Sequence, residues 1–323
     1  MTPFVLRTPR STEQALALLR ANPDSRIIAG GTDLLPNLRR GIGAPAQLVD
    51  LRLIDELAHI DYNAAGWTLG AGATLQQIAA HPDIAGLLPV LAQAAAAIAG
   101  PSHRSVATLG GNLCLDTRCV FYNQSQWWRQ SNDYCLKYRG DTCHVAPHGK
   151  RCYAAFSGDL APALSALAAN IDILGAAGLR SLPLADFYVD DGAKPLTLQA
   201  GELVAGVRIP AQPAGMRCGY RKARVRAAVD FALAGVAVRV VITQQGVLSD
   251  LRVALTGTNS HPLLLEGTQD LCGTALTPEL LVALGKLVQK QVSPMRTTVT
   301  GSNYRRQVAS VMAQALLREL CGS

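Results

Sequence analysis

Residues 106–160 set the terms on which this chain can fold. They read VATLGGNLCLDTRCVFYNQSQWWRQSNDYCLKYRGDTCHVAPHGKRCYAAFSGDL and hold five of the eight cysteines: Cys114, Cys119, Cys135, Cys143 and Cys152. The stretch opens with a small-residue, glycine-paired turn, Thr108-Leu109-Gly110-Gly111-Asn112. Between the cysteines it turns polar, aromatic and basic (Trp127, Trp128, Arg129, Tyr134, Lys137, Tyr138, Arg139), whereas the flanking chain is rich in alanine and leucine. A local change of this kind marks an inserted loop with its own cross-link.

What the cross-link can be depends on the compartment. Met1-Thr2-Pro3-Phe4 leads into charged residues with no apolar leader segment, so the expectation is a cytoplasmic, reducing location. Disulfides are then not expected, and clustered cysteines are metal ligands or plain buried thiols. Four sulfurs can hold zinc or an iron–sulfur cluster. No CxxC pair occurs: 15 residues separate Cys119 from Cys135, 7 separate Cys135 from Cys143, and 8 separate Cys143 from Cys152. From spacing alone an iron–sulfur cluster, zinc and unlinked thiols all remain open. Cys114, beside the glycine turn, reads as a packing residue. His103, His144 and His148 are possible ligands, although histidines near basic loops are usually solvated.

The remainder reads as a folded enzyme-sized body. At 323 residues, with 49% hydrophobic and 16% charged residues, the chain has enough apolar surface for two or three domains and no disordered character. The longest apolar-looking stretch, Leu87 to Gly100, contains Pro89 and Gln93 and reads as a buried helix, not a membrane span. The net charge is +7, but the Lys and Arg residues are scattered and no nucleic-acid motif is present. An anionic cofactor or an acidic redox partner fits such a charge.

In chain order, Phe4–Arg7 is a short strand and Ser11 caps a helix with Gln14 three residues on. Ile27-Ile28-Ala29-Gly30-Gly31-Thr32-Asp33-Leu34-Leu35 is an apolar strand that runs into a glycine turn. Such a turn lets backbone N–H groups converge on an anion. It is neither GxGxxG nor a Walker A loop. Val49–Leu51 and Trp67–Gly72 read as strands, Thr74 caps a helix, and residues 85–99 read as an alanine-rich helix stopped by Gly100-Pro101. Asp159 leads into another helix, Ile171–Leu174 and Glu202–Pro210 are strands, and the Pro/Gly-rich segment 210–215 is the expected domain boundary. A basic run (Arg221, Lys222, Arg224, Arg226), two β-rich runs (Ala232–Ile242, Leu251–Leu255) and two terminal helices follow. Strands and helices mix without a βαβ repeat, so the fold class is α+β. No Ser/His/Asp set or paired carboxylates suggest hydrolysis.

Five segments together, IIAGGTDLL (27–35), VATLGGN (106–112), SGDLAP (157–162), ELVAGVRIP (202–210) and Lys222, resemble the flavin-binding subunit of the xanthine dehydrogenase family of molybdenum hydroxylases. The resemblance runs almost end to end and in order. It implies a PCMH-type FAD-binding domain of two α/β subdomains (about 1–55 and 56–212). A C-terminal domain, 213–323, would be a small antiparallel sheet with a helix bundle. Ile28, Ala29, Gly30, Gly31, Thr32, Asp33, Leu34 and Leu35, with Thr108, Gly110, Gly111 and Asn112, would wrap the FAD pyrophosphate. Asp159 and Lys222 would lie near the flavin. The insert, about 115–155, resembles more narrowly that of 4-hydroxybenzoyl-CoA reductase β subunits, in which Cys119, Cys135, Cys143 and Cys152 would hold one 4Fe–4S cluster. The chain would then carry electrons from ferredoxin for reductive dehydroxylation. Its partners would be a molybdopterin-binding α subunit and a 2Fe–2S γ subunit, in a dimer of αβγ units. The alternative is a flavin subunit that passes electrons outward to NAD or quinone.

Overall fold

The computed structural model describes residues 2–296 and 300–322. Three sheets organise it. The first is parallel, β1 (Val5–Arg7), β2 (Ser25–Ile28) and β3 (Gln47–Asp50), in the order β1-β3-β2. The central strand β3 is buried throughout, as a strand covered on both faces must be. α1 (Thr12–Ala21) turns Ala15, Leu16 and Leu19 inward. Ser11 Oγ accepts the Gln14 N–H as expected of an N-cap, while the Gln14 side chain reaches the Arg10 N–H instead of closing a full capping box. α2 (Leu34–Arg39) follows the first glycine turn.

The second sheet is antiparallel, in the order β4-β5-β8-β6-β7: β4 (Ile60–Asn63), β5 (Gly66–Gly70), β6 (Asn170–Gly175), β7 (Gly178–Pro183) and β8 (Leu203–Pro210). Its helices are α3 (Leu75–Ala80), α4 (Pro82–Leu87), α5 (Pro89–Ala96), α6 (Pro101–Arg104), α7 (Leu109–Leu113), α8 (Gln126–Ser131) and α9 (Leu160–Ala166). Thr74 and Gln77 form the capping box of α3. The single helix expected over 85–99 is instead two, because the fixed φ and missing N–H of Pro89 place it at the start of α5 and Leu88 ends α4. Leu91, Ala94, Leu109, Phe156, Leu164 and Phe187 are fully buried in this core.

The third sheet is antiparallel, in the order β12-β11-β10-β9: β9 (Met216–Ala223), β10 (Ala234–Ile242), β11 (Leu248–Thr256) and β12 (Leu263–Leu264). Side chains alternate between its faces. Val236, Val238 and Val240 join the core beneath α10 (Pro278–Gln291) and α11 (Ser302–Cys321). Cys218, Tyr220 and Ala237 join the core of the second subdomain, where α5 and α9 cover the sheet. The whole is an α+β fold, and the third sheet seats one face of β9 directly over the segment that carries Asp159. Among the described residues no helix is long and apolar enough to cross a membrane.

Candidate functional site

The two glycine turns lie against each other. A Cβ on Gly30 would run into the Val106 carbonyl, so only glycine permits the approach, and Gly31 has a φ of 68° that favours glycine. Residues 28–35 are all half-buried, at the surface rather than in the core. Among the described residues the N–H groups of Gly30 to Leu34 donate to no other main-chain carbonyl; the bond into the turn is from Leu35 N–H to Gly31 O, 3.1 Å. Free N–H groups on a glycine turn are what an anion needs. Asp33 does not point acid into an open groove: its carboxylate pairs with Arg118 and accepts Asn37 Nδ2 at 3.1 Å.

The second turn differs. Thr108 Oγ1 caps α7 by accepting the Gly111 N–H at 3.2 Å. Leu109 and Gly110 donate to Ala73 O (2.9 Å) and Ala71 O (2.8 Å), and Asn112 donates to Thr108 O (2.9 Å). Its donors are therefore engaged within the protein. Gly110 is needed for packing, since a Cβ would lie 2.9 Å from that of Ala71. The Asn112 side chain also has a structural partner, accepting the Leu160 N–H at 3.0 Å. Of this turn, Gly111 is the exposed residue and Thr108 and Asn112 are buried.

Asp159 and Lys222 meet at 2.9 Å with side chains only 3% and 4% exposed. Lys222 Nζ also donates to Ala97 O at 3.3 Å, and Tyr220 Oη donates to Asp159 Oδ1 at 2.5 Å. Burial pushes the Asp159 carboxyl up, and the Lys222 ammonium opposes that shift most strongly. The result is a desolvated ammonium–carboxylate–phenol set beneath α5 and α9. Tyr220 was not expected from sequence, yet it stands two residues before Lys222 on a strand and so shares its face.

The insert brings Cys119, Cys135, Cys143 and Cys152 together. All four line one small cavity, with Phe121, Tyr122, Leu136, Lys137, His144 and Val145 completing the wall. Two of the sulfurs accept backbone N–H groups: Phe121 N–H to Cys119 Sγ at 3.5 Å and Ala154 N–H to Cys152 Sγ at 3.4 Å. Burial raises the Cys119 thiol and pushes Cys152 up to about 12, so without a cationic centre these thiols hold their protons. Among the described residues no three His, Cys, Asp or Glu side chains converge tightly enough to clasp a single metal ion. The four thiols share the wall of one cavity without meeting at a point.

Three residues beside Cys135, namely Asp133, Tyr134 and Arg139, have positive φ values of 54°, 58° and 62°. Such backbone persists only where its surroundings hold it. His144 is in the wall but its Nε2 lies 2.5 Å from Tyr134 O, a partner that ties the ring to the loop. Cys114 lies outside the cage, packed against the second-subdomain core. Lys137, absent from the expected site, donates to Asp116 Oδ1 at 2.7 Å and sits 4.5 Å from the centre of the Tyr122 ring.

The site is thus two apposed glycine turns, one with N–H groups open to an anion, and a buried pair of Lys222 on β9 with Asp159 at the start of α9; the family that the chain matches makes the class an FAD-binding subunit. Comparison with known proteins gives the family. Residues 2–212 match the family described as FAD binding domain in molybdopterin dehydrogenase, and residues 219–320 match the CO dehydrogenase flavoprotein C-terminal domain. The FAD-binding subunit of an aldehyde oxidoreductase from Escherichia coli is 34% identical over 80% of this chain and 82% of its own. The carbon monoxide dehydrogenase medium chain of Afipia carboxidovorans is 28% identical over 96% of this chain and 93% of its own. A solved Cu,Mo-CO dehydrogenase chain superposes with a TM-score of 0.82 at 25% identity, covering 100% of this chain and 99% of that one. This chain belongs to the family of FAD-binding medium subunits of the xanthine dehydrogenase and CO dehydrogenase type.

Proposed function

We propose that this chain is a flavin and iron–sulfur electron-transfer subunit, with one 4Fe–4S cluster on Cys119, Cys135, Cys143 and Cys152 added to the FAD of its family. The observation that carries the reading is the joint lining of one cavity by all four thiols. When bound, such a cluster moves single electrons and FAD moves them singly or in pairs.

The chain's own residues supply the setting. The N–H groups of Gly30 to Leu34 receive the pyrophosphate, beside Thr108, Gly110, Gly111 and Asn112, which hold the neighbouring turn in place. Ile28, Ala29, Thr32 and Leu35 complete the groove. Lys222, paired with Asp159 at 2.9 Å, is the residue that would favour the reduced, anionic form of the bound flavin. Phe121, Tyr122 and Val145 keep water from the cage, and the N–H···S bonds from Phe121 and Ala154 favour thiolate over thiol. In this reading the partners are a molybdopterin-binding α subunit and a 2Fe–2S γ subunit, in a dimer of αβγ units in the cytoplasm. The substrate site is on the α subunit.

Two readings of the overall reaction rest on different observations. The insert resembles that of 4-hydroxybenzoyl-CoA reductase, which supports reductive dehydroxylation to benzoyl-CoA with reduced ferredoxin as donor. The likeness of the whole chain to an aldehyde oxidoreductase subunit supports the opposite direction, with electrons leaving through the flavin to an acceptor such as NAD or quinone. Replacing each of Cys119, Cys135, Cys143 and Cys152 by Ser tests the shared part. Each variant should lose iron and retain FAD; full iron content in all four would sink the cluster. Rapid bleaching of the flavin by reduced ferredoxin favours the first reaction, and reoxidation of reduced enzyme by NAD or quinone favours the second.

A further inference from the structure

The cluster loop and the first glycine turn are joined by one side chain. Arg118 immediately precedes Cys119, and its guanidinium pairs with Asp33 of the glycine turn. Its Nη1 donates to Asn37 Oδ1 at 2.9 Å, and Asn37 Nδ2 returns to Asp33 Oδ2 at 3.1 Å, so the three side chains close a ring. The Arg118 backbone is tied to the far end of the same insert. Its N–H donates to Ala155 O at 2.7 Å and its carbonyl accepts the Ala155 N–H at 2.8 Å, which clamps the two ends of the insert together. A third region also meets it: the guanidinium carbon stands 4.9 Å from the centre of the Phe231 ring, in the loop between β9 and β10. Only 16% of the side chain is exposed, and the Nε–H is buried with no acceptor among the described residues.

A planar fork held this way transmits position. Movement of the backbone at Cys119 moves the fork, and the fork sets where Asp33 and the free N–H groups beside it stand. We propose that Arg118 is a positioning residue that couples iron loading of the cysteine cage to the affinity of the first glycine turn for FAD. With iron in place, Cys119 is tethered, Arg118 is held, and Asp33 is kept out of the phosphate groove. Without iron, Cys119 is released, the fork loosens, and the Asp33 carboxylate is freer to oppose the pyrophosphate. Linkage makes the effect reciprocal: FAD then also strengthens iron retention by the same factor. The inference rests on the cluster reading given above.

The test measures FAD affinity by flavin fluorescence, with iron counted on every sample, for the wild-type chain and for Arg118→Gln. Each is examined as purified anaerobically and after iron removal by a chelator. Iron removal should weaken FAD binding of the wild type about tenfold, within the range usual for coupled sites. Arg118→Gln should bind FAD more weakly and show no dependence on iron. Arg118→Lys, which keeps the charge but loses the planar fork, should lie between the two. Asp33→Asn provides a second route should Arg118→Gln fail to fold, and should likewise abolish the iron dependence. Equal iron dependence in wild type and variants, or none in an iron-loaded wild type, overturns the coupling and leaves the cluster standing. A wild-type chain purified without iron overturns the cluster reading and the coupling together.

Discussion

In β10, eight of nine residues are buried, and the strand is held by neighbours on both sides and helices on both faces. Between Arg118 and Ala155 the only regular element among the described residues is the six-residue α8. There the chain is held by side-chain bonds instead: Arg129 to Gly41 O at 2.8 Å, Lys137 to Thr117 Oγ1 at 2.5 Å, and the Cys152 N–H to Asp191 Oδ1 at 3.1 Å. The body thus draws its stability from apolar burial, roughly 25 cal/mol for each Å² removed from water. The insert has little such surface to offer and relies on polar anchors, with four thiols at its centre. Damage to the body should unfold the protein; damage to the insert should change what it carries.

The largest effect is expected where the body is cored out. Phe187→Ala removes a fully buried ring, and should cost about 3–5 kcal/mol in chemical denaturation, with FAD and iron lost together. Lys222→Met should cost about 3 kcal/mol, because it leaves the Asp159 carboxylate buried without its counter-ion; adding Asp159→Asn should recover part of the loss. Gly30→Ala separates the two functions of the chain. Its Cβ meets the Val106 carbonyl, so FAD affinity measured by fluorescence should fall at least about tenfold, which is about 1.4 kcal/mol, while iron content at saturating FAD stays unchanged. If iron falls even at saturating FAD, the insert and the body are less separable than the comparison holds.

A pH dependence also follows from the buried thiols and phenols of the body. Burial raises the Cys218 thiol to about 11. An unfolded thiol ionises near pH 8.5. Between these values the folded chain binds more protons than the unfolded one, so stability is complete below about pH 8.5 and falls as pH rises toward about 11, by up to about 1.4 kcal/mol per pH unit. The raised Tyr188 and Tyr220 phenols add to the fall in the same direction. Cys218→Ala should make the fall of the urea midpoint with pH over that interval shallower, the rest of the fall coming from the other raised thiols and phenols, without changing FAD or iron content.

Much of the body was readable because its signals are local. Ser11 and Thr74 sit where caps must sit, the apolar run Ala232–Ile242 becomes a doubly covered strand, and Leu280, Leu281 and Leu284 of the first terminal helix become core; of the apolar positions Val308, Val311, Met312, Ala315 and Leu316 on the second, Leu316 is buried while Val311 is 63% exposed. The break at Leu88–Pro89 was also written in the sequence, in a proline inside a helical pattern. The site was legible only in its residue types. Two glycine turns look alike in sequence, yet the donors of one are free and those of the other are engaged by Ala71, Ala73 and Thr108, a difference set by which strand packs beside each turn. Nor did anything local mark Arg118: its partners Asp33 and Asn37 lie more than 80 residues away, and a lone arginine before a cysteine carries no pattern.

The most direct test of the central claim is an anaerobic visible absorption spectrum of the purified chain, with flavin, iron and zinc counted on the same sample. A thiol cage that holds a 4Fe–4S cluster requires flavin bands over a broad shoulder and about four irons per FAD. Flavin bands without iron would contradict the account of the insert and reduce it to a structural loop on an ordinary member of the family. One zinc per chain would contradict it too, by placing all four sulfurs around a single ion.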